Sequence, residues 1–216
     1  RRDGAFTIFY MGINLGSLLA GVICGAAATA YGWQAAFVSA GIGMLLSLVV
    51  QATMAQRFLG DIGRMPAAQR AALQRSKEQK APLTKQEVDR IKVILVLGLF
   101  TIIFWAGFEQ AGGLMNLYAQ EYTNRMIGSF EVPTAWFQSL NPFFIITLAP
   151  IVAAIWIKLG NKEPNSPVKF AMGLLFLAVG FLFMIGAVLE QGGDQAVKTS
   201  MFWLVGAYLF HTLGEL

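Results

Sequence analysis

Long apolar runs separated by short charged punctuation organise this chain. The uncharged segments cover about 5–30, 32–56, 93–118, 134–157, 169–190 and 199 to the end. Each is close to or above the roughly 17–25 residues that a bilayer-spanning helix requires. From Gly4 to Gln56, 53 residues pass without an Asp, Glu, Lys or Arg, so two spans share that stretch. Lipid offers no hydrogen-bond partner to a bare peptide group, so segments of this length are helices. The ~10-residue alternating strands of a membrane barrel are absent. The pattern predicts six membrane-spanning helices in an all-α transmembrane fold. Tyr31, Gly32 and Trp33 supply the tight interfacial turn between the first two. Thr84 followed by Glu87 has capping-box spacing and starts the third helix before it enters the membrane.

Composition and charge add class and orientation. With 56% hydrophobic and 13% charged residues, a soluble domain with a charged skin is excluded. If the first helix starts in the cytoplasm, fourteen of the sixteen basic residues fall on the inside and only Arg125 and Lys198 on the outside. That asymmetry satisfies the positive-inside rule. The inside stretch 57–92 carries nine basic and four acidic residues with Pro66 and Pro82 and reads as a solvated connector. Charge of this kind is accounted for by a lipid bilayer and needs no nucleic-acid partner. Cys24 is the single cysteine, so no intrachain disulfide forms. One His and one Cys supply no metal set, and no phosphate loop or nucleophile–base pair is present, so the expectation is no metal and no enzyme. The last segment stops at Gly214-Glu215-Leu216 with no basic flank or cap, and the chain opens on Arg1-Arg2-Asp3 rather than Met. The expectation is an internal fragment of a larger membrane protein, its last helix truncated.

Ionisable groups inside spans are expensive, at least ~2.5 kcal/mol on insertion scales, and are functional candidates by default. Two acids qualify, Glu109 and Glu215. Desolvation favours a neutral carboxyl and a neighbouring cation favours the carboxylate, which is the chemistry of a proton carrier. On a continuous helix Trp105, Glu109, Gly113 and Asn116 share one face. In the first helix Tyr10, Asn14, Ser17 and Gly21 recur at helical spacing, with the small pairs Gly12/Gly16 and Gly21/Gly25 marking close approach of another helix. Gln138 and Asn141 lie one turn apart in the fourth helix, followed by Pro142, whose missing donor predicts a kink. His211, one turn before Glu215, is either a proton relay or a packing residue. Each of these polar groups is open to a second reading in which it serves helix assembly alone.

Taken together, the runs Phe9-Tyr10-Met11-Gly12-Ile13-Asn14-Leu15-Gly16-Ser17, Phe104-Trp105 leading to Glu109-Gln110, Trp136-Phe137-Gln138-Ser139-Leu140-Asn141-Pro142 and Leu213-Gly214-Glu215-Leu216 resemble the proton-dependent oligopeptide transporter family of the major facilitator superfamily. The resemblance extends over the whole chain in the same order. It implies twelve core helices in two six-helix bundles, of which this chain holds the fifth to the tenth. Residues 1–56 would be the last two helices of the N-terminal bundle, 57–92 the connector and 93–216 the first four helices of the C-terminal bundle. Two further helices found between the bundles of many bacterial members would be missing, the connector being too short and too polar. The implied activity is proton-coupled symport of di- and tripeptides across the cytoplasmic (inner) membrane of a bacterium, with protons as coupling ion and no other cofactor. The remaining helices of the transporter are the implied partner. By the same resemblance Glu215 faces the peptide's amino terminus, Asn14 and Asn141 contact its backbone and ends, and Trp105 lines the pocket. Tyr10 belongs to the signature, Glu109 couples protons, and Glu121 is the acid of an outer-gate salt bridge. The competing readings are a symporter of the same fold for another solute, such as nitrate or a modified peptide, a nontransporting membrane scaffold, and an intramembrane enzyme.

Overall fold

A computed structural model describes residues 2–60 and 82–216. The described chain is built from seven α-helices, α1 (Arg2–Tyr31), α2 (Trp33–Leu59), α3 (Lys85–Phe108), α4 (Leu114–Glu121), α5 (Leu140–Leu159), α6 (Ser166–Gln191) and α7 (Met201–Glu215). Two-residue strands β1 (Thr123–Asn124), β2 (Met126–Ile127), β3 (Phe130–Glu131) and β4 (Thr199–Ser200) lie in the links. The predicted all-α architecture is present. Among the described residues five segments are long and apolar enough to cross a membrane: Phe9–Tyr31, Trp33–Leu59, Lys85–Glu121, Thr134–Lys162 and Ser166–Gln191. The sixth, α7, has 15 residues. Most of the connector's Pro and charged positions fall in 61–81, outside the described residues.

Local signals set several boundaries. Gly32, at φ 85°, makes the turn between α1 and α2, a backbone conformation that glycine enters without steric penalty. The capping box forms as the spacing predicts. The Thr84 amide and hydroxyl donate to the Glu87 carboxylate at 2.7 and 2.8 Å, and the Glu87 amide donates back to Thr84 Oγ1 at 3.3 Å. Those bonds satisfy orphan donors at the start of α3. Helix α6 begins before Lys169 because Asn165 caps it, accepting from the Val168 amide at 3.1 Å, with Pro167 in the first turn. Lys169 does not mark the end of a span. Its ammonium pairs with Glu163 and lies 4.5 Å from the centre of the Trp156 ring, leaving its alkyl stem on the apolar surface.

Two expectations about breaks are corrected. Pro142 does not kink a helix. A 3-10 segment, Thr134–Ser139, precedes α5, so Pro142 stands in the first turn of the α-helix, where a missing donor breaks no interior hydrogen bond. The proline inside α5 is Pro150. The third span, expected to be continuous, is broken: α3 ends at Phe108, Glu109–Ala111 is a 3-10 turn, and Gly113 takes φ −102°, ψ −96° before α4 begins.

Contacts divide the chain into two compact units, Arg1–Ser39 with Leu99–Leu216, and Ala40–Gly98. In the first, Met115, Ala119, Phe137, Leu204, Ala207 and Tyr208 form a buried core where α4, the Thr134–Ser139 segment and α7 meet. β1 pairs with β4 in parallel, Thr123 opposite Thr199, and the Tyr122 carbonyl accepts from the Thr199 amide at 2.8 Å, tying the end of α4 to the start of α7. β2 and β3 form a hairpin whose turn places Gly128 at φ 62°, as two-residue hairpin turns require. Arg125 closes that hairpin, donating to Glu131 at 2.5 Å and to the Val132 carbonyl at 2.6 Å. The second unit holds most of α2 and the first part of α3, with an exposed Lys92–Asp89 ion pair at 3.1 Å.

Small residues allow the closest helix contacts, though not all where the pattern pointed. A Cβ on Gly21 or Gly25 would meet Ser139 or Trp136, whereas one on Gly12 or Gly16 would meet nothing within 4 Å. Between α6 and α7 backbone meets backbone. A Cβ on Gly173 would lie 2.7 Å from the Gly214 carbonyl oxygen, and one on Gly214 would lie 2.7 Å from the Gly173 oxygen. Backbone cannot rotate aside as a side chain does, so Gly173→Ala is expected to force the helices apart at a cost of about 1–3 kcal/mol. Thermal unfolding in detergent checks this, with Gly12→Ala as a control whose midpoint stays unchanged or rises.

Candidate functional site

The polar groups of the spans converge on one seam between α5, its 3-10 entrance and α7. Asn141 lies in the first turn of α5, and Thr212 and Glu215 lie on the last turn of α7. The Asn141 amide has two hydrogens and uses both, donating to Glu215 Oε2 at 2.8 Å and to Thr212 Oγ1 at 3.1 Å. Thr212 is fully buried, and its hydroxyl donates in turn to the Tyr208 carbonyl at 2.8 Å. Asn141 is thereby fixed in orientation, and the carboxylate it holds keeps acceptor capacity for a ligand. Glu215 also lines a cavity of about 260 Å3 with Trp105, Phe104 and Lys169. Trp105 packs edge-on against Phe104 and Phe108, with ring centres 5.6 and 5.2 Å apart. A carboxylate oriented by Asn141, an aromatic wall and the Lys169 ammonium on one cavity form a site suited to a small zwitterionic group.

The break in the third span positions Glu109. Its carboxyl is exposed at the 3-10 turn and has no hydrogen-bond or ion-pair partner among the described residues. The break also corrects the expected face. A 3-10 turn advances 3.0 residues per turn rather than 3.6, and Gly113 redirects the chain, so Trp105, Glu109, Gly113 and Asn116 do not form one continuous stripe. Above the break, Gln138 donates to the Ala111 carbonyl at 2.7 Å and to the Tyr208 hydroxyl at 3.1 Å, with the Asn116 oxygen 3.5 Å away.

Helix α1 contributes from its own side. Asn14 is buried, and its amide donates to the Tyr10 carbonyl at 3.0 Å. Tyr10 lies within electrostatic reach of Glu215. The helix is fastened to the entrance of α5 by Ser139 donating to the Leu18 carbonyl at 3.3 Å and by the Trp136 indole donating to the Val22 carbonyl at 3.3 Å. A polar cavity of about 440 Å3 at the Trp33 end is lined by Thr29, Asn116, Gln120, Arg125, Glu131 and Gln138 among others. Glu121 is exposed, and its backbone carbonyl accepts from Lys198.

The structure therefore joins Asn141 to Glu215, sets Trp105 on the same cavity and leaves Tyr10 close by. Sequence reasoning missed Tyr208 and Thr212. Their spacing before Glu215, seven and three residues, carried the signal, because it puts all three on one side of a helix. It weighed His211 instead. That ring faces α6, packing against Gly180 and lying 4.9 Å from the Phe181 ring, and the partner of Glu215 is Asn141.

Comparison with known proteins places this site in context. The family model described as POT family matches residues 1–64 and 65–216. The chain is 33% identical to the uncharacterised transporter YclF of Bacillus subtilis and 33% identical to the peptide transporter YePEPT of Yersinia enterocolitica. Both matches cover all of this chain, with 52% of the first relative and 53% of the second. The chain thus spans about half the length of these curated relatives. Among solved structures it is similar to the peptide transporter POT in complex with sulfate, at TM-score 0.85 and 31% identity, over 100% of this chain and 53% of that one. A variant of that transporter bound to alafosfalin gives TM-score 0.82 at 32% identity, over 100% and 52% of the two chains. The helical architecture, the polar seam across α5 and α7 and a family match over the full length together establish this chain as a member of the POT family, a multi-pass membrane protein of major facilitator type.

Proposed function

We propose that this chain is the central part of a proton-coupled symporter of di- and tripeptides, working by alternating access in a bacterial cytoplasmic membrane. In this reading residues 1–56 close the N-terminal bundle, 57–92 connect the bundles, and 93–216 begin the C-terminal one. The remaining helices of the transporter complete the cavity. The observation that carries the reading is the Asn141–Glu215 pair at 2.8 Å beside the Trp105-lined cavity.

A peptide offers the same ammonium and the same amides whatever its side chains. Glu215 takes the ammonium as a charge-assisted partner, while Asn141 and Asn14 take backbone groups and Tyr10 and Trp105 wall the pocket. Binding through main-chain groups leaves side-chain preference broad. Glu109, unpaired at the helix break, takes and releases the coupling proton. Glu121, exposed at the end of α4, pairs at the outer gate with an arginine of the remaining helices.

The test is uptake of labelled dialanine into liposomes containing the complete transporter, with and without an inward proton gradient. Gradient-driven accumulation is the expected result. A folded protein that accumulates no dialanine retires this substrate in favour of another solute for the same fold, and one that moves no solute at all supports a scaffold.

A further inference from the structure

We propose that Gln138 and Tyr208 are positioning residues that hold the break in the third span and thereby set Glu109; the role given to Glu109 rests on the reading above. In a continuous helix the Ala111 carbonyl would accept from the Met115 amide. Here it accepts instead from Gln138 Nε2 at 2.7 Å and from the Tyr208 hydroxyl at 3.1 Å. Both donors come from other parts of the fold, one from the entrance of α5 and one from α7.

The donor count closes. Gln138 gives one amide hydrogen to Ala111 and the other to the Tyr208 oxygen, Tyr208 gives its only hydroxyl hydrogen to Ala111, and a carbonyl oxygen has two lone pairs to receive them. Tyr208 is 2% exposed. In a medium without water a freed carbonyl is costly, so these two side chains stabilise the broken form over the straight helix. In the straight form Ala111 would return to Met115 while Gln138 keeps Tyr208 and gains Asn116, whose oxygen is 3.5 Å away, but the Tyr208 hydroxyl hydrogen would lose its acceptor. That unpaired buried hydroxyl favours the broken form, two residues from Glu109.

The latch also belongs to the helix that binds at Glu215. Tyr208 accepts from Thr212 through its carbonyl, and Thr212 accepts from Asn141, so the hydroxyl that holds the break rides on the backbone fixed at the Asn141–Glu215 pair. Any rearrangement of that pair on ligand binding displaces the donor at Ala111. Around the break α6 presents Leu177, against Gly107, and α7 presents Tyr208 and the titratable His211, whose ring centre is 6.4 Å from that of Phe108.

Two conservative variants of the complete transporter test this, Tyr208→Phe, which keeps the ring, and Gln138→Met, which keeps the volume. Amide hydrogen exchange over residues 109–117 in nanodiscs needs no substrate. Each variant is expected to slow it about tenfold at the Met115 amide, which regains the Ala111 carbonyl once the broken form loses one net hydrogen bond. Gradient-driven dialanine uptake is expected to fall about tenfold while counterflow exchange, which needs no net proton movement, stays within twofold. Unchanged exchange over 109–117 overturns the proposal. So does an equal fall in gradient-driven uptake and counterflow, the mark of a merely structural role. If the wild type moves no peptide, the function reading falls and the exchange comparison alone decides whether Gln138 and Tyr208 hold the break.

Discussion

Glu215→Gln is expected to cut dialanine uptake by roughly 30-fold or more while leaving the protein folded. The glutamine oxygen still accepts from Asn141, whose other hydrogen stays on Thr212, so the seam between α5 and α7 closes as before. What is lost is the negative charge. Removing one partner of a buried charge pair costs about 2–5 kcal/mol, and about 1.4 kcal/mol is a factor of ten in binding. The effect belongs to the ammonium, so N-acetylated dialanine, which has none, should be carried poorly and equally by both proteins. Uptake kinetics for the two substrates in liposomes check this. Dialanine transport unchanged by the substitution would remove Glu215 from the site while leaving the transport function standing.

Glu109→Gln is expected to abolish gradient-driven accumulation and spare exchange. A glutamine cannot carry a proton, so peptide movement loses its driving force but not its pathway. A proton gradient of one pH unit is worth about 1.4 kcal/mol per proton, or roughly tenfold accumulation. That factor should vanish in the variant while counterflow of labelled against unlabelled dialanine remains within twofold. The expectation follows from position, because an exposed carboxyl at a helix break has no internal partner to compensate when its charge changes. Accumulation that persists in the variant assigns the proton to another group.

These outcomes bear on residues of unequal legibility. The capping box of Thr84 and Glu87 and the turn at Gly32 were readable because both are satisfied within a few residues of chain. Asn141 and Glu215 were readable as polar groups in an apolar run, although nothing in their neighbours says that one hydrogen-bonds the other 74 positions away. Gly113 read as a small residue on a helical face, yet it redirects the chain between the 3-10 turn and α4. Pro142 read as a kink for lack of the 3-10 turn in front of it. The small pairs Gly12/Gly16 and Gly21/Gly25 of α1 looked equivalent, and of these four only Gly21 and Gly25 meet a neighbour.

The sequence by itself determined the all-α, membrane-spanning character of the chain, because lipid penalises every charge and every unpaired peptide group at its own position, independent of partners, and its motifs determined the family. Tertiary structure decided where the third span breaks, which glycines carry the α6–α7 contact and which donors complete the site. Those depend on groups brought together from distant parts of the chain. The Ala111 carbonyl can leave its helix only because Gln138 and Tyr208, from two other elements, are there to receive it.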